Sequence, residues 1–121
     1  MKGRFNLDKR FEKLSAENCY ISEITLAELK FGIAKSDKPE KNTKVLLNFL
    51  TGVQVLPIFN SLDLYASEKA RLQKAGTPID DFDLLIGVTS VTHSLIMVTN
   101  NTRHFNQITS IVLEDWTDKQ A

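Results

Sequence analysis

The sequence predicts an α/β fold, a three-layer sandwich with a mainly parallel central sheet. Short β-prone runs alternate with longer helical stretches along the chain, the pattern of strands joined by helical crossovers. One run, Leu95-Ile-Met-Val-Thr99, is almost continuously apolar, as a parallel strand covered on both faces would be. Cap and turn residues (Ser22, Gly52, Ser61, Gly76, Pro78) stand where one kind of run gives way to the other.

The elements follow in order. Leu7, Phe11 and Leu14 fall at helical spacing in a charged stretch. Cys19-Tyr20-Ile21 is a short β-prone run, and Ser22 is the expected N-cap of the helix after it, with Glu23 and Thr25 near its start. Ile24, Leu26, Leu29, Phe31 and Ile33 leave little of that helix polar, so it is expected to be buried against a sheet. Residues 35–44 are polar and hold Pro39, a loop leading into a helix that residues 45–50 continue and Gly52 ends. Val53 to Ile58 is a short strand. Ser61 is the expected cap of the next helix, with Leu62, Tyr65, Ala66, Ala70 and Leu72 as its apolar stripe. Gly76-Thr-Pro-Ile79 is a turn, and Asp80 or Asp81 opens a helix from Phe82 to Thr92. The strand at 95–99 runs into a loop, Asn100-Asn101-Thr102. Phe105, Ile108, Ile111, Val112, Leu113 and Trp116 form the last packed segment before a polar tail.

Composition sets the bounds. The chain has 121 residues, which suits one domain covering 1–121. Hydrophobic content of 42% against 25% charged marks a globular chain rather than a disordered one. Fifteen basic and fifteen acidic residues cancel, so no global field argues for nucleic acid, and any such partner needs a local patch. The single cysteine, Cys19, makes no internal disulfide, and the expected compartment is a reducing cytoplasm. No apolar run approaches the ~18 residues of a membrane span, and no signal peptide is visible, so no membrane partner is expected.

Two acids stand out chemically. Glu28 lies in Ile24-Thr-Leu-Ala-Glu-Leu-Lys-Phe-Gly32 and Asp83 in Pro78-Ile-Asp-Asp-Phe-Asp-Leu-Leu-Ile-Gly87. Each interrupts an apolar helical segment, where a buried carboxylate is costly unless a cation, a donor or water satisfies it. Converging carboxylates make the usual site for Mg²⁺ or Mn²⁺ and for phosphodiester cleavage. In parallel α/β sheets ligands collect outside the carboxyl ends of the strands. Glu28 follows one β-prone run and Asn101 follows another, so one edge could gather all three. The plain alternatives are an exposed helix residue for Glu28, a helix-dipole acid for Asp83 and a turn residue for Asn101.

Four segments in series carry a family resemblance. They are Ile21-Ser-Glu-Ile-Thr-Leu-Ala-Glu-Leu-Lys-Phe-Gly32, Gly76-Thr-Pro-Ile-Asp-Asp-Phe-Asp-Leu-Leu-Ile86, Ile96-Met-Val-Thr-Asn-Asn-Thr-Arg-His-Phe-Asn-Gln-Ile108 and Leu113-Glu-Asp-Trp116. In order and spacing the chain resembles the PIN-domain ribonucleases, and within them the VapC toxins of bacterial toxin–antitoxin pairs. The resemblance implies metal-dependent hydrolysis of RNA in a homodimer that binds a cognate antitoxin. It implies Glu28 and Asp83 as metal ligands for Mg²⁺ or Mn²⁺. Asn101 matches a fourth polar or acidic position, and Thr99 a hydroxyl often beside it. Asn in place of an acid removes one negative charge, so weaker metal binding is expected. His93 and His104 are not expected ligands, although His104 matches a position where relatives often carry an acid.

The chain departs from that pattern at its start. Relatives open with an apolar strand ending in Asp, and nothing like it precedes Leu7; Asp8 sits in a charged helical run instead. The chain is therefore expected to lack the first strand and one metal ligand. A misassigned start, an alternative start and a real truncation all remain open. The alternative to a working nuclease is a catalytically impaired remnant that acts as an antitoxin-binding or dimerisation module.

Overall fold

The computed structural model describes residues 20–99 and 101–115. The expected helix from Leu7 to Leu14, Asp8, Cys19, Asn100 and Trp116 lie outside the described residues. The chain divides into two compact units, Met1–Leu56 and Pro57–Ala121.

In the first unit, β1 (Tyr20–Ser22) is followed by α1 (Glu23–Ala34), α2 (Pro39–Leu50) and β2 (Gln54–Leu56). β1 and β2 pair in parallel, Tyr20 opposite Gln54 and Ser22 opposite Leu56. A parallel pair needs a long crossover, and the two helices supply it. Ser22 caps α1 as expected. Its backbone is extended (φ −82°, ψ 161°), and its Oγ accepts the Thr25 N–H at 3.0 Å. A cap of this kind is worth about 1 kcal/mol. Pro39 occupies the start of α2, where its missing N–H costs nothing. Leu29, Ile33 and Leu46 form the buried core, with Ile21, Leu26, Phe49 and Leu50 packed around it. Burial of α1 is thus confined to one stripe, Leu29 and Ile33 at i, i+4. Phe31 points the other way and is 65% exposed, with the Lys35 ammonium 5.0 Å from its ring centre.

In the second unit, a 3₁₀ turn (Phe59–Ser61) leads into α3 (Leu62–Lys74), followed by α4 (Asp81–Thr92), β3 (Ile96–Val98), α5 (Thr102–Phe105) and β4 (Val112–Glu114). β3 and β4 are parallel, Ile96 opposite Val112 and Val98 opposite Glu114. The core joins Leu72, Ile79, Leu84, Val88, Phe105 and Ile108, with Met97 and Leu113 packed on it from the sheet. Strand side chains alternate between faces, so the neighbours of Met97 and Leu113 turn outward. Ile96 is 58% and Val112 54% exposed, so β3 is not buried on both faces as its apolar run suggested.

Two further expectations are corrected. Ser61 sits at the start of α3, but its side chain makes no capping bond. Its backbone is already helical (φ −101°, ψ −1°) rather than extended as at Ser22, and its buried hydroxyl has no hydrogen-bond partner among the described residues. The inward face of α3 carries Tyr65, Glu68 and Leu72, whereas Ala66 and Ala70 are exposed. Elsewhere the punctuation agrees. Gly76 takes φ +77°, which favours glycine, and Asp80 caps α4 by accepting the Phe82 N–H at 3.2 Å. Gly87 lets α4 approach the chain beyond α5. A Cβ there would lie 2.4 Å from Ile108 Cδ1, a side chain already in the core.

Candidate active site

α4 carries three acids at its start, and the structure gives each a different use. Asp80 is the cap. Asp81 is bound by Lys69 from α3, Nζ to Oδ1 at 2.8 Å, and accepts the Tyr65 hydroxyl at 2.9 Å. The Lys69 ammonium, and then the Tyr65 hydroxyl, hold the Asp81 carboxyl below its usual range. Asp83, in the first turn, keeps 38% of its side chain exposed and meets His104. Its Oδ2 lies 3.2 Å from His104 Nε2. An ionised carboxylate only accepts, so the imidazole N–H donates. Of the three neighbouring acids, Asp80 is engaged by the helix N-terminus, Asp81 by the Lys69 ammonium and Asp83 by the His104 ring.

Thr99 and Asn101 follow the carboxyl end of β3. The Thr99 N–H bonds to the Glu114 carbonyl at 3.1 Å, extending the parallel ladder. Its Oγ1 accepts the Asn101 N–H at 3.0 Å, a local turn that fixes the loop. The Asn101 carbonyl in turn accepts the His104 N–H at 3.1 Å at the start of α5. So Thr99, Asn101, His104 and Asp83 form a bonded sequence within the second unit. Glu28 belongs to the first unit. It is exposed on α1, one position before buried Leu29. The premise that Glu28 and Asp83 are buried charges is therefore replaced: both reach solvent, and neither is an apolar-core carboxylate.

Glu68 is the acid that sequence reasoning missed. Its side chain is 7% exposed. It accepts two bonds from Arg71, Nε at 3.1 Å and Nη2 at 2.9 Å, and two from Thr109, N at 2.8 Å and Oγ1 at 3.1 Å. Arg71 also donates to the Gln107 carbonyl at 2.6 Å. Arg71 first, and the Thr109 bonds after it, outweigh the opposing effect of burial and bring the Glu68 pKa down to about 2. A signal existed in the sequence: Glu68 lies at i−4 from Leu72, on the apolar stripe.

The oxygen donors the sequence singled out are all hard: in the second unit the Asp83 carboxylate, the Thr99 hydroxyl and the Asn101 amide, and in the first unit the Glu28 carboxylate. That chemistry suits Mg²⁺ or Mn²⁺ rather than a thiophilic metal. No group of three or more His, Cys, Asp or Glu side chains among the described residues could hold an ion by itself. Each of these oxygens suits an ion that keeps several waters, as Mg²⁺ does.

Comparison with known proteins identifies the family. The sequence pattern of the PIN domain matches residues 2–110. The tRNA(fMet)-specific endonuclease VapC of Salmonella typhimurium is 35% identical over 92% of this chain and 84% of its own length. Ribonuclease VapC2 of Rickettsia felis is 35% identical over 79% of this chain and 72% of its own. Among solved structures, DNA-bound VapBC from Salmonella typhimurium superposes with a TM-score of 0.82 at 34% identity, covering 95% of this chain and 87% of that one. VapBC2 from Rickettsia felis, bound to a DNA fragment from its promoter, gives 0.79 at 32% identity, covering 89% and 83%. This chain belongs to the PIN-domain family and is a homologue of its VapC ribonucleases.

Proposed function

We propose that this chain is an endoribonuclease of the VapC type, the toxin of a toxin–antitoxin pair, and that it hydrolyses RNA phosphodiester bonds. The observation that carries this reading is the similarity to VapC ribonucleases over nine-tenths of the chain. The PIN match spans both compact units, which supports reading them as one PIN domain. A divalent cation, Mg²⁺ or Mn²⁺, would supply a polarised phosphoryl oxygen and an acidified water when bound. Glu28 and Asp83 are its proposed ligands. Asn101 orients water or phosphate with its exposed amide, and Thr99 fixes the loop that presents it. A cytoplasmic homodimer with a cognate antitoxin belongs to the same proposal.

The test is cleavage of structured RNA by the purified chain with Mg²⁺ or Mn²⁺. The reading expects cleavage that a chelator stops and that Glu28→Gln abolishes. Cleavage that survives both treatments overturns it.

A second reading has an observation of its own. Phe31 on α1 and Leu47 on α2 are exposed apolar side chains in the first unit, as a protein-binding surface would have. A chain that binds antitoxin in isothermal titration, yet leaves RNA intact with every divalent ion, is the binding module rather than the enzyme.

A further inference from the structure

Within the nuclease reading just given, we infer that His104 is a positioning residue for Asp83, aiming the carboxylate at the cation. The two residues lie in the same unit, and the bond between them joins elements remote in sequence. Asp83 is on the first turn of α4 and His104 is on α5. The Asp83 side chain keeps 38% of its surface exposed, and His104 is the side chain that bonds its carboxylate among the described residues. The His104 N–H holds Oδ2 at 3.2 Å and leaves Oδ1 for a ligand.

His104 is itself held. The next residue, Phe105, is buried in the core and lies edge-to-face with the imidazole, ring centres 5.0 Å apart. The His104 backbone N–H is tied to the Asn101 carbonyl, and Asn101 is tied to the Thr99 hydroxyl. The donor therefore sits on a frame that runs back to the end of β3.

The kind of donor matters too. Lys or Arg at this position would carry a full charge and compete with a divalent cation for the carboxylate. The His104 ring meets the carboxylate through one nitrogen, so a single bond to Oδ2 orients it. The nearby acids cannot stand in for Asp83, because Asp80 is the cap of α4 and Asp81 is bound by Lys69.

The test is Mn²⁺ binding, read from the electron paramagnetic resonance of free aqueous Mn²⁺, with thermal melting as a check on folding. His104→Ala is expected to weaken Mn²⁺ about tenfold, the lower end of what losing an outer hydrogen-bond partner does to a metal site. His104→Gln, whose amide N–H₂ can reach the same oxygen, is expected to bind within about threefold of the unaltered chain. Added to Asp83→Asn, His104→Ala is expected to change nothing further. Affinity of His104→Ala within twofold of the unaltered chain overturns the assignment, and so does a Gln variant as weak as the Ala variant. If the unaltered chain shows no specific Mn²⁺ site, or Asp83→Asn binds as tightly as the unaltered chain, the nuclease reading fails first and this inference with it.

Discussion

Glu68 and Asp83 are both carboxylates on helices of the second unit, and they differ in what surrounds them. Glu68 is enclosed and accepts four bonds, two from Arg71 and two from Thr109. Asp83 is half-exposed and meets His104. A carboxylate that has filled its acceptor sites with protein donors is a structural fastener, here tying α3 to the segment after α5. A carboxylate left with open acceptor capacity is available for chemistry. In this unit, the number of donors separates the fastener from the candidate site.

Substitution should break the two in different ways. The largest effect is expected at Asp83. Asp83→Asn should lower RNA cleavage about 100-fold or more, since it removes a proposed metal ligand rather than an outer partner. Its melting temperature should stay close to that of the unaltered chain. A large loss of thermal stability would place Asp83 with the fasteners instead.

Glu68→Gln should do the reverse and cost on the order of 3 kcal/mol at neutral pH, the worth of its pKa displacement. That pKa is lowered from 4.5 to about 2, so the stabilisation is complete above 4.5 and is lost as pH falls toward 2. Chemical denaturation of the unaltered chain should therefore show stability falling across this window. In Glu68→Gln that part of the slope should be missing. An unchanged slope would mean that Glu68 is not the fastener described.

The smallest effect sharpens the comparison by touching neither carboxylate. Ser110 takes φ 66°, a left-handed conformation that disfavours L side chains, next to the Glu68 partner Thr109. Ser110→Gly should stabilise by up to ~1 kcal/mol and leave cleavage unaltered, as denaturation and assay together would show.

Legibility followed the range of the interaction. Ser22 was readable as a cap, and Asp80 or Asp81 as the start of a helix, because a cap is completed within three residues. The parallel strands and the helices between them were readable from alternation and apolar runs. The family was readable from four segments in series. The Glu68 network was not, because Thr109 and Gln107 reach it only through the fold. The approach of His104 to Asp83 was hidden for the same reason. Ser61 was misread because residue type alone does not reveal a preceding 3₁₀ turn. The exposed face of β3 was misread because an apolar run does not say which of its faces is covered. Glu28 and Asp83 stood out in the sequence as acids within apolar segments, and the solvent exposure of their carboxylates did not.

The most direct test of the account is Mn²⁺ affinity in Glu28→Gln, in Asp83→Asn and in the chain carrying both substitutions. If these two carboxylates serve one ion, each single change should remove most of the specific binding, and the double change should add little. Undiminished binding in Glu28→Gln, or losses that add in full, would contradict the claim.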